Sequence, residues 1–202
     1  MNNRRHLLMF AVVLLPAGVA AQGVQNKDIS FLFGATATGN HAIAAGAATV
    51  YGYTAPCASF RYGYQLTRVS FTSVWLDAGI GTFVTDAWGE GSLPGSTLND
   101  IQAYTAGARF MVPVNSRVSL YGALGAGGGD FRHAYVSAGA EPHLASYSTW
   151  HGVFEFGGGM DYRIRQRISI RTEVRDFVSG RGLSGSAGRH HILPFAGVSF
   201  HF

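Results

Sequence analysis

Arg171, Glu173 and Arg175 alternate along one short stretch of this 202-residue chain, and two carboxylates, Glu155 and Asp161, stand upstream of them. Residues two apart share a face of a β-strand. If residues 165–167 form a tight turn with Ile164 opposite Ile168, Asp161 falls opposite Arg171, Gly159 opposite Glu173 and Gly157 opposite Arg175. Long charged side chains then face glycine gaps, and Asp161 pairs with Arg171 across the ladder. Arg61, Asp77, Arg109 and Arg163 take the same facing from the alternation of their own segments. Two chemistries are open to such a set. It can neutralise itself and fill an enclosed space, or it can line an open pore or a catalytic cleft.

Other residue groupings are weaker. Acyl transfer needs a serine activated by a histidine base with an orienting acid, and on a membrane protein that set must face acyl chains. Asp130, His133 and Ser137 fall close together in a Gly-rich interval read as a loop. His151 and Glu155 share a face that is expected to point inward. The expected lipid faces carry no histidine, so no catalytic residue is assigned. His41, His133, His143, His190 and His191 fall in intervals read as loops, but no ligand spacing or cysteine partner fixes a metal geometry. Neither metal nor cofactor is expected. Cys57 is the only cysteine, so an internal disulfide is impossible, and it reads as a small buried residue.

The elements that must position these residues are strands. In residues 150–164 the even positions run Trp150, Gly152, Phe154, Phe156, Gly158, Met160, Tyr162, Ile164, while the odd ones are polar or glycine except Val153. Period-two patterning recurs in 29–37, 57–66, 74–83, 101–112, 118–128, 168–177 and 192–202. The second of these sets Phe60, Tyr62, Tyr64 and Leu66 against Ser59, Arg61, Gly63 and Gln65. The third is less clean, because Trp75 shares a face with Asp77. That makes eight strands. The intervals 67–73, 113–117 and 165–167 are short, whereas 38–56, 84–100, 130–148 and 178–190 are long and rich in Gly, Ser and Ala. Long connections at one end and short turns at the other mark a transmembrane barrel. Lipid admits strands only in a closed ring, where no backbone amide is left unpaired.

Composition agrees. Charged residues are 13%, against about 25% in ordinary globular chains, and 28 residues are glycine. An apolar share of 47% excludes a disordered chain. The net charge of +4 is spread without a Lys/Arg block, which argues against nucleic-acid binding. A soluble sandwich would need a charged exterior, and the polar face here is mostly Gly, Ser and Thr. At the amino end Arg4 and Arg5 precede an apolar run over 7–15 and the small residues Val19, Ala20 and Ala21. That is the pattern of a secretory signal peptide, so residues 1–21 are expected to be cleaved and 22–202 to form the barrel.

Three segments carry a family resemblance: SRVSLYGALGAGGGDF, RISIRTEVRDF and the terminal PFAGVSFHF. They resemble strands of the small eight-stranded outer-membrane barrels of Gram-negative bacteria, the OmpA/OmpX-like barrel domain. The resemblance covers essentially all of 22–202 and implies an all-β fold, an eight-stranded antiparallel transmembrane up-and-down β-barrel. It also implies that Val198, Phe200 and Phe202 form a signal for the barrel-assembly machinery. No peptidoglycan-binding domain follows Phe202 in this sequence, so wall tethering is not carried over. An eight-stranded lumen has room only for packed side chains. Glu155, Asp161, Arg171, Glu173 and Arg175 are therefore expected to form a structural charge network in a filled polar lumen. The expected protein is a monomer in outer-membrane lipid, non-enzymatic, with a structural or cell-surface role through loops whose ligand the sequence does not name. The alternatives are a lipid A-modifying enzyme, by acyl transfer or deacylation, and a narrow conduit for small solutes.

Overall fold

The computed structural model describes residues 25–37, 41–43, 48–52, 54–91, 96–137, 143–179 and 189–202. The leader reading of residues 1–21 lies outside them. The described residues form ten strands: β1 (Lys27–Ala37), β2 (His41–Ile43), β3 (Ala48–Gly52), β4 (Thr54–Val69), β5 (Thr72–Gly91), β6 (Ser96–Pro113), β7 (Val118–Ser137), β8 (His143–Arg165), β9 (Ile168–Ser179) and β10 (Arg189–His201). Every pairing is antiparallel. The eight long strands run in the order β5, β4, β1, β10, β9, β8, β7, β6, and β6 returns to β5 to close the ring. First and last strands meet at the seam, where Phe31 is opposite Val198 and Ile29 opposite Phe200. The short β2 and β3 prolong β1 and β4: His41 opposite Val50 keeps the register of Ala37 opposite Thr54.

One end of the ring is closed by tight connections and also holds both described chain ends; we call it the turn end. Ser70 and Phe71 link β4 to β5, with Ser70 in the left-handed region at φ 56°. In the β6–β7 turn the Asn115 side-chain oxygen accepts the amides of Arg117 and Val118, both at 2.8 Å. Gln166 and Arg167 turn β8 into β9. Here the simple register needs correction. Asp161 is opposite Arg171 and Arg163 opposite Ser169, but a bulge follows and Arg165, not Ile164, is opposite Ile168. The extra residue accommodates the tight turn without disturbing the register farther up the ladder.

At the other end, three of the four intervals expected as long loops are largely strand, while most of the fourth, 180–188, lies outside the described residues. β5 and β7 have 20 residues each and β8 has 23, about twice the 9–11 that cross a bilayer. The β7–β8 ladder continues to Ser137 opposite His143, and β5–β6 to Trp88 opposite Ser96. Asp130, His133 and Ser137 thus lie in β7. His41, His143, His190 and His191 lie in β2, β8 and β10. A ladder satisfies its backbone in water as well as in lipid, so nothing forces the strands to end where the hydrocarbon does.

The outside of the ring is apolar around its middle. Phe33 is 69% exposed, and Phe31, Phe60, Leu124, Phe154, Phe156, Ile170, Val174 and Phe200 are also open. The inside holds the charges. This inversion of an ordinary soluble protein is what a hydrocarbon environment selects. Beyond the band the pattern reverts. Thr82, Asp100, Asp130, Arg132 and Ser148 occupy outward positions on β5 to β8, while Leu32, Phe83, Ile101, Phe131, Val153, Phe177 and Leu193 pack inside as an apolar cluster. The lumen is filled, but the expectation that its filling is polar throughout is corrected: toward the far end it is a hydrophobic core.

Candidate functional site: the charged lumen

Among the described residues nine charged side chains meet inside the barrel, none more than 4% exposed: Asp28, Arg61, Asp77, Arg109, Glu155, Asp161, Arg171, Glu173 and Arg175. Each projects from an inward position of its strand, and the alternation that places them is the one that turns the aromatics outward. Arg171 is the hub nearer the turn end. Its Nε and Nη2 donate to the two Asp161 oxygens at 2.6 and 2.7 Å. The same guanidinium reaches Asp28 at 3.2 Å and Ser30 Oγ at 2.6 Å. Asp28 also accepts from Arg109 Nη2. Arg109 lies over the Trp75 ring at 5.0 Å, and the Tyr121 ring is near both Arg109 and Arg171.

The second hub is Arg61 with Arg175. Arg61 donates to Asp77 at 2.7 Å and to Glu155 at 2.6 Å. Arg175 donates to Glu155 and Glu173, each at 3.1 Å, and to Asp77 at 3.4 Å. Tyr121 donates its hydroxyl to Glu173 at 2.7 Å. Asp77 joins the hubs, since Arg109 Nε lies 3.6 Å from it. The glycines make room. A methyl group on Gly159 would stand 2.6 Å from the Tyr121 hydroxyl and 2.7 Å from Glu173 Cβ, and one on Gly63 would stand 2.7 Å from Asp28.

The structure thus brings Glu155, Asp161, Arg171, Glu173 and Arg175 into one connected set, with Asp77, Arg61 and Arg109. Arg163 is not part of it; its side chain is exposed at the turn end, beyond the last enclosed layer. Asp28 is a member that the sequence reading missed. Asp28 lies just before the alternating segment that starts at Ile29, yet it is two residues from the inward Ser30, and that parity marks it as inward. Trp75, the blemish in the β5 pattern, is inside with Asp77 and 5% exposed. The ring face offered to Arg109 accounts for an aromatic on the polar side. Val198, Phe200 and Phe202 lie on the open outer face of the closing strand segment.

Serine and histidine do meet, at both rims. Ser169 Oγ is 2.9 Å from His201 Nε2 just inside the turn end. Near the far end His190 Nδ1 is 2.5 Å from Asp176, and Ser179 Oγ is 3.4 Å from His191 Nε2. Beyond the apolar band, Asp130 accepts from Ser148 at 2.5 Å and Arg132 at 2.9 Å. The Ser148 hydroxyl and then Arg132 hold its carboxyl below the usual range.

A closed antiparallel ring of eight up-and-down strands, apolar outside and charged inside, is the architecture of the bacterial outer-membrane barrels. Solved structures of that kind match it. The attachment invasion locus protein Ail of Yersinia pestis superposes with a TM-score of 0.50 over 89% of this chain and 100% of its own, at 16% identity. Neisserial surface protein A gives 0.53 over 89% and 98%, at 14% identity. The outer membrane protease OmpT from Escherichia coli gives 0.50 over 88% and 96%, at 10% identity. At these identities the likeness is one of fold. No family model matches the sequence, and neither does any curated protein.

Proposed function

We propose that this chain is a non-enzymatic barrel of the bacterial outer membrane, exported by a leader at residues 1–21 and seated with its turn end in the periplasm. Its far end stands clear of the lipid as a rigid β-walled rim, for a structural or interaction role at the cell surface. The observation that carries this reading is the change of core along the barrel. Charges fill the lumen within the apolar band, and a hydrophobic core takes over where the outer face becomes polar. Such an extension is built to hold its shape in water, which a lipid-buried site would not need.

The luminal network serves this role as a plug that fixes the ring. Val198, Phe200 and Phe202 act as the signal read by the assembly machinery, and the barrel works as a monomer. Comparison of lipid A from cells with and without the protein tests the main rival. Identical mass spectra are expected; a lost or gained acyl chain that depends on the protein would overturn the reading.

A second reading is favoured by one observation. The His190–Asp176 pair sits at the far rim with His190 59% exposed, and one of the similar structures is a protease. In that reading the rim hydrolyses a bond, with His190 as base. Protein-dependent cleavage of surface peptides that His190→Ala abolishes would establish it.

A further inference from the structure

Charge is distributed unevenly along the barrel axis. Lys27, Arg68, Arg117, Arg163, Arg165 and Arg167 all fall at the turn end, drawn from the three turns, the strand ends beside them and the start of β1. Among the described residues only Asp28 and Asp161 bring side-chain carboxylates near that end; Asp28 is engaged from within by Arg109 and Arg171, and Asp161 by Arg171. Among the described residues none of the six cations has a carboxylate partner within ion-pair distance. Like charges left unpaired around one opening raise its potential together and draw anions to it.

The opening is not flat. A cavity of about 340 Å³ enters the barrel mouth there, and Arg68, Arg117 and Arg163 converge on it with Trp75, Ser73 and His201. Trp75 is 5% exposed, and its indole N–H has no hydrogen-bond partner in the protein. Asp161 also lines the cavity, but both its oxygens are taken by Arg171. Three forked guanidinium donors around a recess suit an acceptor-only group with several oxygens. Arginine forks match phosphate in this way.

We propose that the turn-end mouth is a binding site for a phosphate ester, held by Arg68, Arg117 and Arg163, with the Trp75 side chain among the residues that line it. The ester is either the headgroup of an anionic phospholipid or a small soluble phosphate ester. The site is independent of the surface role proposed above, because it lies at the opposite end and uses none of the far-rim residues.

The test uses the folded barrel in maltoside micelles, which carry no phosphate. Trp88 and Trp150 are changed to Phe, so that Trp75 alone reports. The protein is titrated with glycerol 1-phosphate and, separately, with short-chain phosphatidylglycerol. A saturable change in Trp75 emission is expected with at least one of them. Response to the lipid alone assigns the headgroup, and response to glycerol 1-phosphate alone assigns a soluble ester. R117Q/R163Q should weaken binding by about tenfold or more, the loss of charge-assisted hydrogen bonds. R167Q, on an exposed turn outside the cavity, should change it by no more than about twofold, the effect of a screened surface charge. A heat-dependent gel shift confirms that each variant is folded. No saturable response to either ester, or equal weakening by R167Q, overturns the site.

Discussion

The luminal residues make unequal demands on one another. Five carboxylates face four guanidiniums, so the enclosed set carries one excess negative charge. Neutralising a carboxylate brings it toward balance, and removing a guanidinium drives it farther away. Glu173→Gln is therefore expected to cost about 1–3 kcal/mol, the worth of hydrogen bonds to a charged group, with the fold retained. Arg171→Gln removes the cation partner of Asp161 and leaves Asp28 with Arg109 alone, and is expected to cost about 3–5 kcal/mol, as breaking a buried pair does. Urea unfolding of the refolded barrels measures both. Equal costs would mean that luminal water screens the set and that the count of charges is irrelevant. The sequence already placed Arg171, Glu173 and Arg175 on one face, because alternation is a local property. It did not show which carboxylate each guanidinium grips. Arg61 and Glu155 are 94 positions apart and meet only because the ring closes. Asp28 was missed for a related reason: one residue at the ragged start of a strand has too few neighbours to establish a period.

At the level of strands, the apolar side is the informative one. β8 turns Phe154, Phe156 and Tyr162 outward and Glu155 and Asp161 inward. Phe156→Arg leaves every luminal contact in place and puts a cation in hydrocarbon. The expected loss is about 2–4 kcal/mol near the bilayer middle, read from urea titrations in lipid vesicles. A change within about 0.5 kcal/mol, normal for an exposed site on a soluble protein, would remove the membrane reading of this face. Strand number and order were legible from the same alternation, and strand length was not. The pattern fades before Trp150 and after Gly128 because water replaces lipid outside, so that Asp130, Arg132 and Ser148 become acceptable outward residues. The ladder itself continues, since backbone pairing leaves no mark in side-chain polarity. The bulge at Ile164 was likewise invisible, as one inserted residue beside a turn alters too short a stretch. At the seam, Phe202 and Lys27 exchange backbone hydrogen bonds at 3.0 Å. Deleting Phe202 removes only that last pair, so refolding in detergent should be nearly normal. Under the proposed assembly-signal role, barrel yield in cells should fall. An unchanged yield in cells would show that the terminal aromatic is merely the end of the ladder.

For the whole barrel, the two luminal layers act in series. The charged layer has Arg61, Arg109, Arg171 and Arg175 at 1% exposure or less, and the apolar layer has Leu32, Phe83, Phe177 and Leu193 at 1%. An ion crossing the first must part guanidinium–carboxylate pairs that hold the ring together. An ion crossing the second must shed water among apolar side chains, with only the Cys57 thiol and the flanking His151 and His191 rings beside it, which is costly as well. Neither barrier depends on the other, so opening one does not open the pore. The unmodified barrel is therefore expected to show no steady conductance in planar bilayers. Phe83→Ala combined with Phe177→Ala, which hollows the apolar layer, should also remain closed to steady current. Adding Arg171→Gln and Arg175→Gln to that pair should give the first sustained ion flow, because both hubs of the charged layer and the apolar layer are then breached. A stable, ion-selective current from the unmodified barrel would overturn this account. If Glu173→Gln then shifted its selectivity without altering stability in urea, the charged face would be the lining of a pore and not the plug of a closed one.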